Sequence, residues 1–204
     1  GIILLDEITS APSDCQVAAY SVVLDRRIPN SNYVLPNGWL IVAAGNRTCD
    51  RAVVKTMSSA LANRFVHFEV EANAEDWVKW ATINEINPAV VGFINYRPGN
   101  LFKMEGQNLE QGWPSPRSWE RVSNCIKTFG GNSNILRKVV YGLIGNGVGL
   151  EFMEFFKMSN EFDSILEIML DESKAFVLPD KADRRYAIAS AVVYHLWNGG
   201  SDEE

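Results

Sequence analysis

Apolar and polar positions along this chain follow two rhythms, and the change between them divides it. Ile2 to Leu5 is an unbroken apolar run closed by Asp6 and Glu7, the pattern of a short strand buried on both faces. Ser13 and Asp14 supply cap-type residues for a helix carrying Val17, Tyr20, Val23 and Leu24 at helical spacing. Arg26 to Asn30 ends that helix, and Asn30, Ser31 and Asn32 predict the tip of a short hairpin. Trp39 to Ala44 predicts a second buried strand that closes on Gly45 and Asn46. A broken helical stretch runs from Asp50 to Asn63, and Phe65 to Val70 alternates enough to predict a third strand.

Strand, helix, strand, helix, strand is the order of a parallel α/β sheet. Such sheets carry their ligands at the carboxyl ends of the strands, where Asp6, Glu7 and Asn46 fall. After about Glu71 the pattern turns helical throughout. Helices are predicted over Glu75 to Glu85, Pro88 to Tyr96, from Arg117 onward, Ser133 to Ile144, Gly149 to Met158, Glu161 to Leu170 and Asp180 to Trp197. Residues 97–116 lack periodicity and read as a loop; the tail Asn198 to Glu204 is expected to be disordered. The expected division is an α/β part over residues 1–97 and an all-helical part over 98–204.

Composition narrows the class. At 47% hydrophobic and 22% charged residues, the chain has the balance of a soluble globular protein. A net charge of -6 weighs against a basic nucleic-acid surface, and no apolar run approaches the ~20 residues of a membrane span. Cys15, Cys49 and Cys125 form no CxxC pair and read as buried or half-exposed thiols of a reducing cytoplasm. His67 and His195 sit in no metal-ligand spacing, so both are expected to be structural. Phe152, Phe155, Phe156 and Phe162 read as core rather than interface.

A carboxylate at a strand end suits Mg²⁺, which prefers oxygen ligands, keeps most of its waters and uses one or two protein carboxylates. An adjacent acid can then act as base toward a water. That division makes Asp6 the metal-side group and Glu7 the water-side group; a plain solvated strand end is the alternative. Asn46 suits holding an attacking water or a phosphate oxygen, or else is simply a turn residue. Arg64 is either a surface ion-pair partner or a finger reaching a phosphate on a neighbouring subunit. Ser115 and Pro116 fix a helix start, so Arg117 projects from its first turn against the helix dipole, which favours a ligand-directed role.

Taken together, these segments resemble AAA+ ATPases, and within them the MoxR-like group. "IILLDEI" looks like the Walker B strand and "APSDCQVAAYSVVLDRRI" like the helix after it. "LPNGWLIVAAGN" is similar to the stretch through the sensor 1 strand, "ALANRF" to the arginine-finger segment, and "SPRSWERV" to the sensor 2 helix of the lid. The likeness covers residues 1 to about 130; beyond it only the helical character agrees. Asn63 stands where many relatives have Asp, and Arg47 follows the sensor Asn where many have Pro.

The resemblance implies a partial parallel, three-layer P-loop-type sheet followed by an all-helical lid. It implies an ATPase using ATP and Mg²⁺ in a ring of copies, remodelling a protein substrate beside a partner that carries a von Willebrand A domain, in the cytoplasm. In that scheme Asp6 holds the Mg²⁺ hydration shell, Glu7 activates water, and Asn46 is the sensor 1 residue. Arg64 is the finger acting in trans and Arg117 the sensor 2 residue acting in cis. The other readings are a non-hydrolysing scaffold of the same architecture and a DNA-associated loader ATPase; the presence of all five residues favours the motor.

A phosphate-binding loop reads GxxxxGKS or GxxxxGKT, and neither string occurs. The glycines from Gly142 to Gly149 lack the lysine and read as a connector between two helices. In the family that loop precedes the Walker B strand, so the start at Gly1 without Met suggests a missing N-terminal segment. The 204-residue chain alone is accordingly expected to be inactive, with strand edges unpaired.

Overall fold

Two strands pair in parallel. β1 (Ile2–Leu5) lies beside β2 (Leu40–Ala43), with Ile2 opposite Leu40 and Leu5 opposite Ala43. The computed structural model describes residues 1–46, 57–104, 112–160, 180–181, 184–186, 188–189 and 192. Over these the chain is mixed α/β, mostly helical, with this small two-stranded sheet. It forms two compact units, Gly1–Val70 and Glu71–Glu204.

In the first unit, α1 (Ser13–Tyr20) connects the strands and widens at once into a π-helical turn over Ser21–Asp25. A hairpin follows as expected: Arg27 bridges Val34 antiparallel, and Ile28 N–H donates to the Tyr33 carbonyl at 3.2 Å. α2 (Ser59–Ala62) is one short turn whose cap is Ser58, the hydroxyl accepting from Leu61 N–H at 3.2 Å. A small core joins Ile8, Ala19 and Leu61 to Leu5, Tyr20, Val23, Ala43 and Phe65.

Three expectations need correction here. The strands are not buried on both faces: Ile2, Leu4, Leu40 and Val42 share one face and stay exposed, because no layer among the described residues covers it. Phe65 to Val70 forms no strand. Val66, Phe68 and Val70 are 79%, 83% and 88% exposed, since alternation supplies side chains but not the neighbouring strand whose hydrogen bonds a ladder needs. The helix through Leu24 loses its α form after Tyr20. Most of the stretch from Asp50 to Asn63 lies outside the described residues.

The second unit is helical: α3 (Ala74–Ile83), α4 (Pro88–Tyr96), α5 (Pro116–Phe129), α6 (Ser133–Ile144) and α7 (Asn146–Asn160). Side-chain caps fix the starts. Asn73 accepts from Asp76 N–H at 3.0 Å, Asn87 from Ala89 N–H at 3.0 Å, and Asn132 from Ile135 N–H at 3.2 Å. Ser115 and Ser118 cap each other's backbone at the start of α5, with Pro116 as its first helical residue. Gly145 alone separates α6 from α7; Gly142 lies within α6 and Gly147 and Gly149 within α7, so the expected connector is one residue long.

Phe93 of α4 sits at the hub of the core, with ring centroids 5.5 Å from Trp119, 5.4 Å from Phe152 and 5.5 Å from Phe155. Trp119 is fully buried and its indole N–H donates to the Asn100 carbonyl at 2.8 Å. Phe152, Phe155 and Phe156 are core, as expected; Phe162 lies outside the described residues. Trp77 and Ala81 of α3 join this same core, so the compact units divide at Val70 and Glu71, earlier than the boundary expected near residue 98. The predicted helices from Glu161 onward and the tail lie almost wholly outside the described residues. Among the described residues no helix is long and apolar enough to cross a membrane.

Candidate functional site

Parallel pairing brings the carboxyl ends of β1 and β2 side by side, and the chain beyond each strand stays joined to the other. Ala44 N–H donates to the Leu5 carbonyl and Ile8 N–H to the Ala44 carbonyl, both at 3.0 Å. The Thr9 hydroxyl then donates to the Asn46 carbonyl at 3.3 Å. Two segments far apart in sequence thereby form one short ledge at the strand ends.

Asp6, Glu7 and Asn46 meet on this ledge. The Asn46 side-chain amide donates to Glu7 Oε2 at 3.1 Å and to Oε1 at 3.4 Å. The Ser10 hydroxyl adds a donor to Glu7 Oε2 at 3.3 Å. Asp6 Oδ1 accepts the Glu7 backbone N–H at 3.0 Å. Glu7 itself adopts φ 53°, a left-handed conformation that costs an L-residue with a long side chain about 1–2 kcal/mol. All three site side chains are exposed to solvent.

Gly45 is required by this closeness. A Cβ there would lie 2.5 Å from Thr9 Oγ1 and 2.7 Å from Thr9 Cγ2. A larger residue at 45 would push away the Thr9 side chain that steadies the backbone of Asn46.

Chemically, the ledge offers a carboxylate held by two neutral donors, with the Asp6 carboxylate adjacent in sequence. Neutral donors orient a carboxylate without cancelling its charge, so Glu7 retains the ability to accept a proton from a water. Asp6 keeps oxygen lone pairs beyond the one that takes the Glu7 N–H. A single exposed carboxylate is the donor set a hydrated Mg²⁺ uses. Among the described residues no three or more His, Cys, Asp or Glu side chains cluster into a larger metal site.

Arg64 lies in the first unit but not at the lip of a strand, since none follows it; it occupies the turn after α2. Its guanidinium stands over the Tyr20 ring, 5.3 Å from the centroid, and Nη1 donates to the Ala60 carbonyl. Its Nε is buried with no hydrogen-bond partner among the described residues. Arg117 belongs to the second unit, where it is exposed in the first turn of α5 behind the Ser115 cap. His67 turns its Nε2 to the Ala62 carbonyl at 2.9 Å, in keeping with a structural role. Cys15 is an exposed free thiol and Cys125 a half-buried one; Cys49 and His195 lie outside the described residues.

Thr9, Ser10, Tyr20 and Ser58 were not singled out by sequence reasoning. Thr9 and Ser10 follow the acid pair closely, but only the turn at Glu7 folds them back toward it. Tyr20 reads as one apolar position among others on α1, and nothing local pairs it with Arg64. No family model, curated protein or solved structure matches this chain.

Proposed function

We propose that this chain is the catalytic-ledge and lid portion of an AAA+ ATPase of the MoxR-like kind, hydrolysing Mg-ATP in a ring of copies to remodel a protein partner. The observation that carries the reading is the hydrogen bond from Asn46 to the Glu7 carboxylate across the ends of two parallel strands. It joins the two residues that the resemblance assigns to sensing phosphate and activating water. The finer architecture, a three-layer P-loop-type sheet, belongs to the same proposal. It requires further strands and a phosphate-binding loop from elsewhere in the assembly.

In this reading Glu7 accepts the proton of a water whose oxygen attacks the terminal phosphorus of ATP. The bond from that phosphorus to the β-phosphate oxygen breaks, leaving ADP and phosphate. Asn46 and Ser10 set the angle of the carboxylate, so that its free lone pairs face the water. Asp6 would hold the hydration shell of Mg²⁺, which when bound supplies neutralisation of phosphate charge. Arg64 reaches the phosphate of a neighbouring copy, and Arg117 reaches the nucleotide of its own. Positive groups of this kind are worth on the order of 10³–10⁵ in rate when they meet a transferring phosphoryl group.

The test is mixing. Rings of Arg64→Ala subunits and rings of Glu7→Gln subunits are each inactive on their own, and mixed rings regain ATP turnover if the finger works across an interface. Assembled mixtures that stay inactive contradict a role in trans.

A further inference from the structure

Tyr20 closes α1 where the helix widens into the π-helical turn, and its half-buried ring lies beneath the Arg64 guanidinium at 5.3 Å. Its hydroxyl is hydrogen-bonded to the Ser58 hydroxyl, the same group that caps α2. Arg64 follows that helix in the next turn, and its side chain is tied back to it at the Ala60 carbonyl. Arg64 is thus held by one aromatic face and one carbonyl, while its Nε makes no hydrogen bond among the described residues.

An arginine on a flexible stem loses about 2 kcal/mol of rotamer freedom when fixed, and a group that must meet a phosphate benefits from being fixed beforehand. A ring face attracts a guanidinium through its quadrupole without consuming any N–H donor. The Ala60 carbonyl engages Nη1, one bond out of the five N–H donors that a guanidinium carries. Stacking on Tyr20 therefore orients the fork while leaving donor capacity for an anion.

We infer that Tyr20 is a positioning residue for Arg64: its ring, locked by the Ser58 hydroxyl, pre-orients the guanidinium for a phosphate presented by a neighbouring copy. This rests on the reading of Arg64 as a finger, and the two fail separately. Tyr20 touches no substrate and acts only through Arg64.

Two measurements test it. The first needs no nucleotide: in the NMR spectrum of the 204-residue chain, the Arg64 side-chain resonances carry an upfield ring-current shift. That shift weakens in Tyr20→Phe, which frees the ring from the Ser58 hydroxyl, and vanishes in Tyr20→Leu. Absence of the shift, or its survival in Tyr20→Leu, overturns the inference. The second uses the ATP-hydrolysing assembly, with phenylalanine and then progressively fluorinated phenylalanines at position 20, which keep the ring's shape and drain its quadrupole. kcat falls about two- to five-fold along the series with KM unchanged. A flat series in an assembly that Arg64→Ala disables overturns the inference and leaves the finger intact. Full turnover by Arg64→Ala removes the finger reading itself.

Discussion

The side-chain amide of Asn46 spans both oxygens of the Glu7 carboxylate, at 3.1 and 3.4 Å, from a residue 39 positions away in sequence. The pairing exists because β1 and β2 run parallel in fixed register, so that the first residues beyond each strand face one another. A single-residue slip of either strand would move every side chain to the opposite face and part the two groups.

Asn46→Ala follows directly. In the proposed ATP-hydrolysing assembly it lowers kcat on the order of 10²-fold, the scale of losing one preorganised donor, with nucleotide affinity little changed. Because both groups are exposed, the unfolding free energy from urea titration changes by no more than about 0.5 kcal/mol. A fall in stability of several kcal/mol with turnover preserved would make Asn46 a structural residue.

Glu7 sits at φ 53° where glycine would sit freely. Glu7→Gly relieves that strain, and the offsetting gain in chain entropy of the unfolded state is about 0.5–1 kcal/mol. The net expectation is a stability equal to or slightly above the parent, together with loss of turnover. A large loss of stability on urea titration would show that the conformation is not strained.

Phe93 meets three aromatic rings within the second unit. Phe93→Ala removes those contacts and leaves a cavity beside Trp119, costing about 3–5 kcal/mol. The measurement is urea unfolding followed by tryptophan fluorescence. A cost under about 1 kcal/mol would mean the hub collapses around the gap.

Gly112 packs backbone to backbone against α6. A Cβ there would stand 2.0 Å from the Gly142 carbonyl oxygen and 2.7 Å from that of Leu143. Gly112→Ala therefore destabilises by about 1–3 kcal/mol. Gly99→Ala, where a Cβ meets nothing within 4 Å, changes stability by no more than about 0.5 kcal/mol. Equal effects at the two positions would contradict the close approach.

Much of the helical unit was legible because helix signals are local. Asn87 followed by Pro88, Ser115 followed by Pro116, and the apolar spacing of Trp119, Val122 and Ile126 each state their element within one turn. Both strands were legible as apolar runs of the right length. What was not legible depends on neighbours. The alternation of Val66, Phe68 and Val70 describes one side of a strand and says nothing of whether another strand lies beside it. Trp77 and Phe93 announce helices but not the core they enter, so the unit boundary fell earlier than expected.

At the site, the acid pair and Asn46 were visible as residue types at strand ends, and parallel order was enough to place them together. The turn at Glu7 that brings Ser10 to its carboxylate, and the reach of Arg64 back onto Tyr20, depend on side-chain directions that no spacing encodes.

The most direct test is ATP turnover by Glu7→Gln in the proposed assembly, complete with a phosphate-binding loop. An amide keeps the shape of the side chain and can still pair with Asn46, but it cannot take a proton from water. The account predicts undiminished nucleotide binding with kcat lowered on the order of 10²–10⁴-fold. Turnover equal to that of the parent assembly would contradict it.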